Sequence, residues 1–297
     1  MTHAYYARQS TFSTPGRHAA LLESLPSQVH ELADMVRGLC IYDVVAEDFY
    51  GHRVSAERQQ EIHLRHIEPM LDRVLALDQH LGPRPPSKRL VGRCHHYALL
   101  LTSMLRAHGI GARMRGGFAR YFNPGYFEDH WVCEYFDVRT SRWVLVDAQF
   151  DDVWRKKLAL KFDPDDIPRS EFLVAAQAWN ACRREGADGS RFGIEFAKLR
   201  GLWFIAGSLV RDLAALNRAE MLPWDTWGAQ PQPDAKLDAA QLAFFDQLAQ
   251  LTLAPESNFQ ALRTLYESDD RVRVPPQVFN ALRQRAEAVG ELQHDLA

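Results

Sequence analysis

The sequence predicts an α+β fold, and three observations lead to that prediction. Apolar residues recur at helical spacing from Cys94 to Leu105, and Gly109 then supplies the residue type that commonly ends a helix. Residues 130–138 and 143–148 have the composition of two strands joined by a polar turn. After Asp151 the apolar spacing is mainly helical. A helix followed by an antiparallel sheet, with a mainly helical C-terminal region, is an α+β arrangement.

The whole-chain composition is that of a globular protein. The 297 residues suffice for one large domain or two ordinary ones, and 46% of them are hydrophobic and 25% charged. A net charge of −3 offers no attraction for nucleic acid. The N-terminus does not resemble a signal peptide, and no apolar run is long enough to span a bilayer. We therefore expect a soluble cytoplasmic protein without nucleic-acid or membrane partners.

The four cysteines lack the short repeated spacing of a disulfide framework or of a paired zinc signature. A reducing compartment favours free thiols at all four positions. Three of the cysteines lie within apolar patterns, and we expect them to pack in the core: Cys40, Cys133 and Cys182. The fourth, Cys94, stands at the start of a predicted helix.

The part of the chain before Cys94 is expected to be largely helical. Residues 1 to about 20 are polar and interrupted by proline and glycine, which indicates a loose arm. Three helical segments follow, and a proline-rich connector in which no helix can continue leads towards Cys94. The predicted helical segments are 26–40, 55–68 and 70–81, and the connector is 82–87.

The C-terminal part of the chain shows further helical patterns and no obvious catalytic grouping. Ser170 has the residue type of a helix N-cap, and an irregular link containing Trp224 and Trp227 interrupts the series. No internal repeat is visible. The predicted helices are 172–182, 192–216, 237–251, 259–266 and 276–292.

Cys94 has the features of an activated nucleophile. A free thiol has a pKa of about 8.5, and the reactive form is the thiolate. A position in the first turn of a helix points unpaired backbone N–H groups and the positive end of the helix dipole at the sulfur. The same N–H groups can hold the oxyanion that forms when a thiolate attacks an amide carbonyl. Gly92, two residues earlier, leaves room for a substrate to approach the backbone.

His130 and Asp147 have the spacing of a base and the carboxylate that orients it. They are separated by 17 positions, and the midpoint falls at residues 138–139, inside the predicted turn. The two side chains should therefore lie nearly opposite each other on neighbouring strands, where a carboxylate accepts the imidazole N–H. Bulky apolar side chains nearby would exclude water from the pair, namely Trp131, Tyr135 and Trp143.

Four short motifs follow one another between roughly residues 85 and 155: Gly92-x-Cys94, Leu105-Arg-x-x-Gly109, His130-Trp-x-x-Glu134 and Trp143-x-x-x-Asp147. In order and spacing they resemble the transglutaminase-like superfamily, whose members have a papain-like core in which the helix bearing the cysteine packs on an antiparallel sheet. Residues such as 201–204 and 221–225 are also similar to bacterial proteins that carry this domain.

The resemblance implies that Cys94 is the nucleophile, His130 the general base and acid, and Asp147 its orienter. It implies acyl transfer or hydrolysis at an amide through a Cys94 thioester, without a cofactor. The partners would be an amide or peptide-like acyl donor and, for transfer, an amine acceptor. Residues 85–93 contain no match for the additional oxyanion-binding side chain of animal members, and their calcium-binding segments have no counterpart. The predicted domains are a catalytic domain, 1–165, and a helical region, 166–297.

Two alternatives to a transferase remain open at the sequence level. A binding or scaffold protein can retain this fold without turnover, although a structural domain has no need of the complete set Cys94, His130 and Asp147. Within the enzymes, a cysteine peptidase or deamidase differs from an acyltransferase in how well its site excludes water. The sequence does not decide between hydrolysis and transfer.

Several other polar residues are candidates for metal or substrate binding. His63-x-x-His66 together with His95 and His96 has the appearance of a metal site, but such pairs arise by chance among 12 histidines, and we expect no metal. His95 and His96 flank the proposed nucleophile and are placed to tune the thiolate or contact substrate. The candidate substrate contacts are His95, Arg113, Arg115, Tyr121 and Trp131, with the arginines suited to an anionic acyl donor.

Overall fold

The computed structural model of the protein describes residues 2–290. Within that range α-helices alternate with short strands, as the α+β prediction requires. The helices are α1 Thr2–Tyr6, α2 Ala19–Glu23, α3 Val29–Leu39, α4 Ala46–Tyr50, α5 Ile67–Leu77, α6 Cys94–Ala107, α7 Asp152–Lys157, α8 Ala175–Arg184, α9 Leu202–Leu216, α10 Ala239–Leu253 and α11 Phe259–Ser268. Short 3₁₀ turns occur at Gly16–His18, Asp43–Val45, Arg58–His63, Pro86–Lys88 and Gly189–Arg191.

The strands form three sheets, of which one is large. They are β1 Cys40–Tyr42, β2 Leu90–Gly92, β3 Ala112–Ala119, β4 Phe127–Asp137, β5 Arg142–Val146, β6 Phe172–Val174, β7 Phe192–Ile194, β8 Leu199–Arg200, β9 Asp225–Thr226, β10 Gln277–Asn280 and β11 Arg285–Ala288. The large sheet has the order β6, β3, β4, β7, β8, and β5 pairs with β4 outside this path. Strands β1 and β2 form a parallel pair, and β9, β10 and β11 form a small antiparallel sheet.

The chain divides into two compact units. Among the described residues, the first contains His3–Met114 and Trp131–Pro168, and the second contains Arg115–His130 and residues 169–290. Strands β3 and β4 each contribute residues to both units. The boundary between Pro168 and Arg169 lies three positions after the boundary that was predicted between residues 165 and 166. The prediction placed residues 115–130 in the first domain, whereas they belong to the second unit.

The helix that begins with Cys94 agrees with its prediction. Arg93 precedes it in an extended conformation (φ −126°, ψ 176°), and fourteen helical residues follow. Gly109 has φ +70°, the left-handed conformation that glycine adopts without the strain of a Cβ atom. Every residue from Cys94 to Arg106 is buried, so α6 is a central helix of the first unit.

The prediction of a loose N-terminal arm is wrong, because buried residues recur throughout the segment 2–18. Tyr6 and Phe12 have no exposed surface. Two side chains of α6 hold the arm: Ser103 Oγ donates to the carbonyl of Ser13 over 2.6 Å, and Arg106 Nε donates to the carbonyl of Tyr6 over 3.2 Å. Proline and glycine therefore mark turns in a buried segment here, since the backbone polar groups find partners on α6.

Among the other N-terminal elements, α3 and α5 confirm two of the predicted helices. The segment 55–68 is not one helix, because a 3₁₀ turn ends at His63 and α5 begins only at Ile67. His63 and His66 consequently do not share a helix face. Cys40, expected on a helical face, lies in β1, although it is buried as predicted.

Three predicted helical segments of the C-terminal part contain strands instead. Ser170 caps no helix, because residues Phe172–Val174 form β6 against β3 and α8 starts at Ala175. Gly117 permits this pairing, since a Cβ atom there would collide with the carbonyl oxygen of Leu173. Residues 192–200 form the hairpin of β7 and β8 before α9.

The third of these segments, predicted as a helix over 276–292, is the hairpin of β10 and β11, and residues 291–292 lie outside the described range. Asn280 explains the turn, because its side-chain oxygen accepts hydrogen bonds from the backbone N–H groups of Leu282 and Arg283. The remaining helices, α10 and α11, agree with their predictions to within two residues.

The described residues contain no helix with both the length and the apolar character needed to cross a membrane.

Candidate active site

Cys94 is the first residue of α6, and its side chain is 6% exposed. The strand β2, which leads into it, pairs in parallel with β1. Glu61 secures that strand, since its carboxylate accepts the N–H of Val91 over 2.7 Å. As the first helical residue, Cys94 keeps its backbone N–H outside the hydrogen-bond ladder of the helix. The thiol of Cys94 therefore lies beside backbone N–H groups that the helix does not use and beside the positive end of the helix dipole.

The residue before Cys94 and the residue two positions after it form the cap of α6. The backbone N–H of Arg93 donates to Nδ1 of His96 over 3.1 Å, and the Arg93 guanidinium forms an ion pair with Asp43 at 2.8 Å. Burial lowers the pKa of His96 to about 4. His96 is therefore neutral at physiological pH and supplies no positive charge to the thiolate.

Gly92 has a packing role that the sequence interpretation missed. A Cβ atom at this position would lie 2.9 Å from the Cβ atom of His96, which is closer than real Cβ contacts. The space that the glycine leaves is thus filled by His96, and not kept for a substrate.

The start of α6 packs against β4. The ring of His95 contacts the ring of Trp131 edge to face, with centroids 5.6 Å apart. Two helical turns later, Thr102 Oγ1 lies 3.3 Å from the sulfur of Cys133. The helix therefore lies along the strand, with its Cys94 end at the Trp131 end of the contact.

Asp147 follows the last residue of β5 and is 1% exposed. One of its side-chain oxygens accepts the backbone N–H of Gln149 over 3.0 Å, so the carboxylate is held by the turn it begins. The backbone is held as well, because its N–H donates to the carbonyl of Pro164 over 2.8 Å and its carbonyl accepts from Arg37 over 3.3 Å.

His130 lies on β4 in the second unit and is 2% exposed. Aromatic rings surround it on several sides: Phe122 at 4.9 Å, Tyr121 at 6.0 Å and Phe172 at 6.4 Å between centroids. These edge-to-face contacts restrict the orientation of the imidazole and exclude water from it.

Two carboxyl groups precede His130 on β4, and the pKa of each is higher than its usual value. Burial raises the pKa of Glu128 to about 7, and burial raises the pKa of Asp129 to about 6 against the opposing charge of Arg211. Sequence analysis did not single out either residue.

The strands that carry His130 and Asp147 are neighbours, as predicted, but their register differs from the prediction. The ladder between β4 and β5 runs from Asp137 opposite Arg142 to Cys133 opposite Val146. Its turn centres between residues 139 and 140, where Asp137 accepts the N–H of Arg139 over 3.0 Å. The last pair of the ladder is Cys133 with Val146. Asp147 lies one position beyond Val146 and His130 lies three positions beyond Cys133, so the two residues are at the same end of the ladder but are not directly opposite each other.

Comparison with known proteins supports the resemblance of this region. Residues 78–148 match the family model of the transglutaminase-like superfamily. Residues 78–148 are therefore transglutaminase-like. Neither the curated proteins nor the solved structures that were compared gave a match to the chain.

The matched segment of the transglutaminase-like domain includes every residue of the proposed triad and all five candidate substrate contacts. Two of those contacts are not placed as the sequence interpretation assumed. Arg113 and Arg115 were expected to be available to an anionic acyl donor, but each is only 2% exposed. Arg113 forms an ion pair with Glu134 at 2.6 Å, and Arg115 forms one with Asp212 at 2.9 Å.

These pairs neutralise the positive charges that an anionic acyl donor would need. The guanidinium of Arg113 also lies 3.9 Å from the centre of the Trp143 ring, which supports a packing role. Of the remaining substrate candidates, His95 and Trp131 contact each other, and Tyr121 lies against His130 two residues beyond the end of β3.

The other three cysteines of the chain lie away from the start of α6, and burial acts on each of their thiols. Burial raises the pKa of the Cys40 thiol, and it raises the pKa of Cys133 to about 12 and that of Cys182 to about 11. Cys182 was expected in the core, but it is half-exposed on α8. These thiols are therefore protonated at physiological pH.

The histidine pattern that suggested a metal does not form a cluster. Across residues 2–290 no group of three or more His, Cys, Asp or Glu side chains is arranged to hold a metal ion. His66 instead stacks on Phe12, with ring centroids 5.1 Å apart.

Sequence reasoning missed three residues that hold the candidate site. They are Arg37, which binds the Asp147 carbonyl, Asp43, which pairs with Arg93, and Gln149, whose N–H holds the Asp147 carboxylate. Arg37 and Asp43 make contacts across 110 and 50 positions, so no local pattern could have revealed them. Gln149 stands two residues after Asp147, and a search for side-chain turns would have found its N–H.

Proposed function

We propose that the protein is a cysteine enzyme that acts on an amide or peptide-like acyl donor. In this proposal Cys94 is the nucleophile, His130 the general base and acid, and Asp147 the group that orients His130. The products are an acyl-Cys94 thioester and a free amine, and the thioester is then released by an amine or by water.

The observation that carries the proposal is the contact between the rings of His95 and Trp131. His95 follows Cys94 in the chain, and Trp131 follows His130. The contact between these two neighbours shows that the start of α6 packs against β4 at Trp131, and this supports the proposed grouping. His130 and Asp147 both lie just beyond the same end of the β4–β5 ladder, and this supports their assignment to one site.

The chemical steps use groups that these residues provide. The Cys94 thiolate attacks the carbonyl carbon of the amide, and the backbone N–H at the start of α6 donates to the resulting oxyanion. The C–N bond breaks as the His130 imidazolium gives its proton to the leaving amine. The neutral imidazole then takes a proton from the incoming amine or water, which attacks the thioester carbonyl. Cleavage of the C–S bond restores the thiolate and imidazolium pair.

Alkylation of the protein at neutral pH tests the proposal directly. We expect iodoacetamide to label Cys94 at least ~10-fold faster than it labels glutathione, because only the thiolate reacts and a free thiol of pKa about 8.5 is mostly protonated at pH 7. Peptide mass spectrometry reads all four cysteines in one sample. Cys182 is the internal control, since it is more exposed than Cys94 but has a pKa raised to about 11, and it should react more slowly than glutathione.

A second measurement separates an enzyme from a scaffold. The protein and the Cys94→Ala variant are incubated with a panel of amides and with p-nitrophenyl acetate, and intact masses are recorded. An acyl adduct on the protein that Cys94→Ala lacks supports turnover through the thioester. If Cys94 reacts no faster than glutathione and forms no adduct, the fold serves as a binding or scaffold domain. Added amines distinguish transfer from hydrolysis by the product released.

A further inference from the structure

We infer that the side-chain carboxamide of Gln149 binds the amide group of the acyl donor. The inference rests on the proposed function of Cys94 and adds to it a residue that contacts substrate. It follows from the burial of Gln149, from the state of its two polar atoms and from its position in the chain.

The Gln149 side chain is buried and makes no hydrogen bond of its own. The residue is 2% exposed, and neither Nε2 nor Oε1 has a hydrogen-bond partner among the described residues. The hydrogen bonds that Gln149 makes within the described part of the chain come from its backbone. Its N–H donates to the Asp147 carboxylate, and its carbonyl accepts from the N–H of Asp151. A buried polar group without a partner typically costs about 1–3 kcal/mol of stability, so a glutamine here needs a reason that folding does not supply.

The backbone around Gln149 is held at both ends. On one side its N–H binds the carboxylate of Asp147 at 3.0 Å. On the other side Asp151 accepts from Tyr50 at 2.8 Å and from Arg89 at 3.0 Å. Arg89 immediately precedes β2, the strand that leads into Cys94. Gln149 thus occupies a rigid turn between the proposed orienting carboxylate and the chain that enters the nucleophile.

A carboxamide is the side chain best matched to another amide. It offers N–H donors and a carbonyl acceptor at once, and a primary or secondary amide offers the complementary set. An analogue that lacks N–H keeps the bond to its carbonyl and loses the bond to Oε1. One hydrogen bond at the upper end of ordinary net strength corresponds to a preference of about tenfold for the donor that carries the N–H. Rejection of the analogue is strengthened because it leaves the buried Oε1 unpaired.

Paired alkylating reagents test the inference at Cys94 itself. Iodoacetamide carries a primary amide, whereas N,N-dimethyl-2-iodoacetamide has the same carbonyl without an N–H group. The ratio of their rates at Cys94 is divided by their ratio on glutathione, which removes intrinsic reactivity. We expect this normalised ratio to be about 10 in the wild type and to fall to within about twofold of 1 in Gln149→Met.

Two further variants and a melting curve complete the test. Gln149→Ala should lower the ratio in the same way if Gln149→Met does not fold, and the exposed Gln247→Met should leave it unchanged. Gln149→Met should melt no lower than the wild type, because an apolar isostere removes an unpaired buried amide. A lower melting temperature together with an unchanged ratio would mean that Gln149 is structural, which overturns the inference.

The failure of the inference is distinguishable from failure of the proposed function. If Cys94 is activated in the wild type but the normalised ratio does not change in Gln149→Met, the nucleophile stands and the role of Gln149 is refuted. If Cys94 is no more reactive than glutathione with either reagent, both proposals are refuted.

Discussion

The guanidinium of Arg37 donates a hydrogen bond from Nη2 to the backbone carbonyl of Asp147 over 3.3 Å. Arg37 lies on α3 and is 6% exposed, and it also pairs with Asp34 at 2.6 Å and with Asp165. Burial acts against its charge, but the two carboxylates hold the pKa of Arg37 above its usual value. A single buried cation therefore joins α3 to the turn that begins at Asp147.

Arg37→Ala should destabilise the protein by about 2 kcal/mol, because it removes a charged donor from Asp165 and from the Asp147 carbonyl. Urea denaturation measures the change. The matched control is Arg139→Ala, since Arg139 also pairs with a carboxylate but its side chain is 87% exposed. We expect Arg139→Ala to change the free energy of unfolding by less than about 0.5 kcal/mol. Equal effects of the two substitutions would contradict the role assigned to Arg37.

Asp212→Ala should lower the free energy of unfolding by more, about 3–5 kcal/mol, because it removes the carboxylate that pairs with the buried guanidinium of Arg115. The pair is 3% and 0% exposed, and Asp212 also accepts the backbone N–H of Gly116 over 2.9 Å. Thermal and urea unfolding both measure the loss. The control is Asp166→Ala, whose partner is the half-exposed Arg142, and it should cost less than about 1 kcal/mol. A cost for Asp212→Ala as small as that of the control would refute the assignment of a buried ion pair.

His96 should make the protein less stable in acid between about pH 6.5 and pH 4. Its pKa is lowered from 6.5 to about 4 by burial, so the unfolded chain binds the proton more tightly than the folded chain does. The stability that depends on neutral His96 is present in full above pH 6.5 and is lost as the pH falls to about 4. The loss in the free energy of unfolding amounts to roughly 3 kcal/mol.

The variant His96→Asn checks that pH dependence, because its side-chain oxygen can still accept the Arg93 N–H but cannot titrate. The slope of the unfolding free energy against pH should be flatter in this window than for the wild type. His80→Asn is the control, since His80 is exposed and its replacement should leave the slope as it was. A wild-type slope in His96→Asn would assign the acid sensitivity to other groups.

Asp147→Asn should slow p-nitrophenyl acetate turnover by on the order of 10²- to 10⁴-fold, by analogy with the orienting aspartate of serine triads. The reason is that an amide presents an N–H to His130 or favours the wrong imidazole tautomer. The exposed Asp152→Asn is the control and should retain its rate. Full activity in Asp147→Asn would show that another group orients His130, and the Asp147 part of the triad would then be abandoned.

The sequence predicted those parts of the fold whose cause is local. Helix α6 ends where Gly109 takes a positive φ, and the β4–β5 hairpin turns within a polar segment that Asp137 can cap. Both are decided within a few residues of the signal. The same method misread 192–200 as helix because the apolar spacing was equivocal. Gly193, in an extended left-handed conformation, packs against the carbonyl oxygen of Leu199 only once the hairpin has formed.

For the candidate site, the sequence suggests the residue types but not the contacts that hold them in place. The motifs around Cys94, His130 and Asp147 follow from chemistry and spacing. The ion pairs that remove Arg113 and Arg115 from solvent join strands or distant helices, with partners 21 and 97 positions away. Burial of an arginine depends on whether such a partner is present in three dimensions, and a single sequence does not contain that information.

The packing of the N-terminal residues on α6 has a consequence for how the nucleophile's helix is kept folded. Ser103 and Arg106 donate hydrogen bonds to the carbonyls of Ser13 and Tyr6, so the N-terminal segment holds the half of α6 that is farther from Cys94. Proteolytic cleavage within residues 2–18 would weaken these contacts with α6. Backbone amide protons of α6 would then exchange faster with solvent, while the residues around Cys94 remained chemically intact.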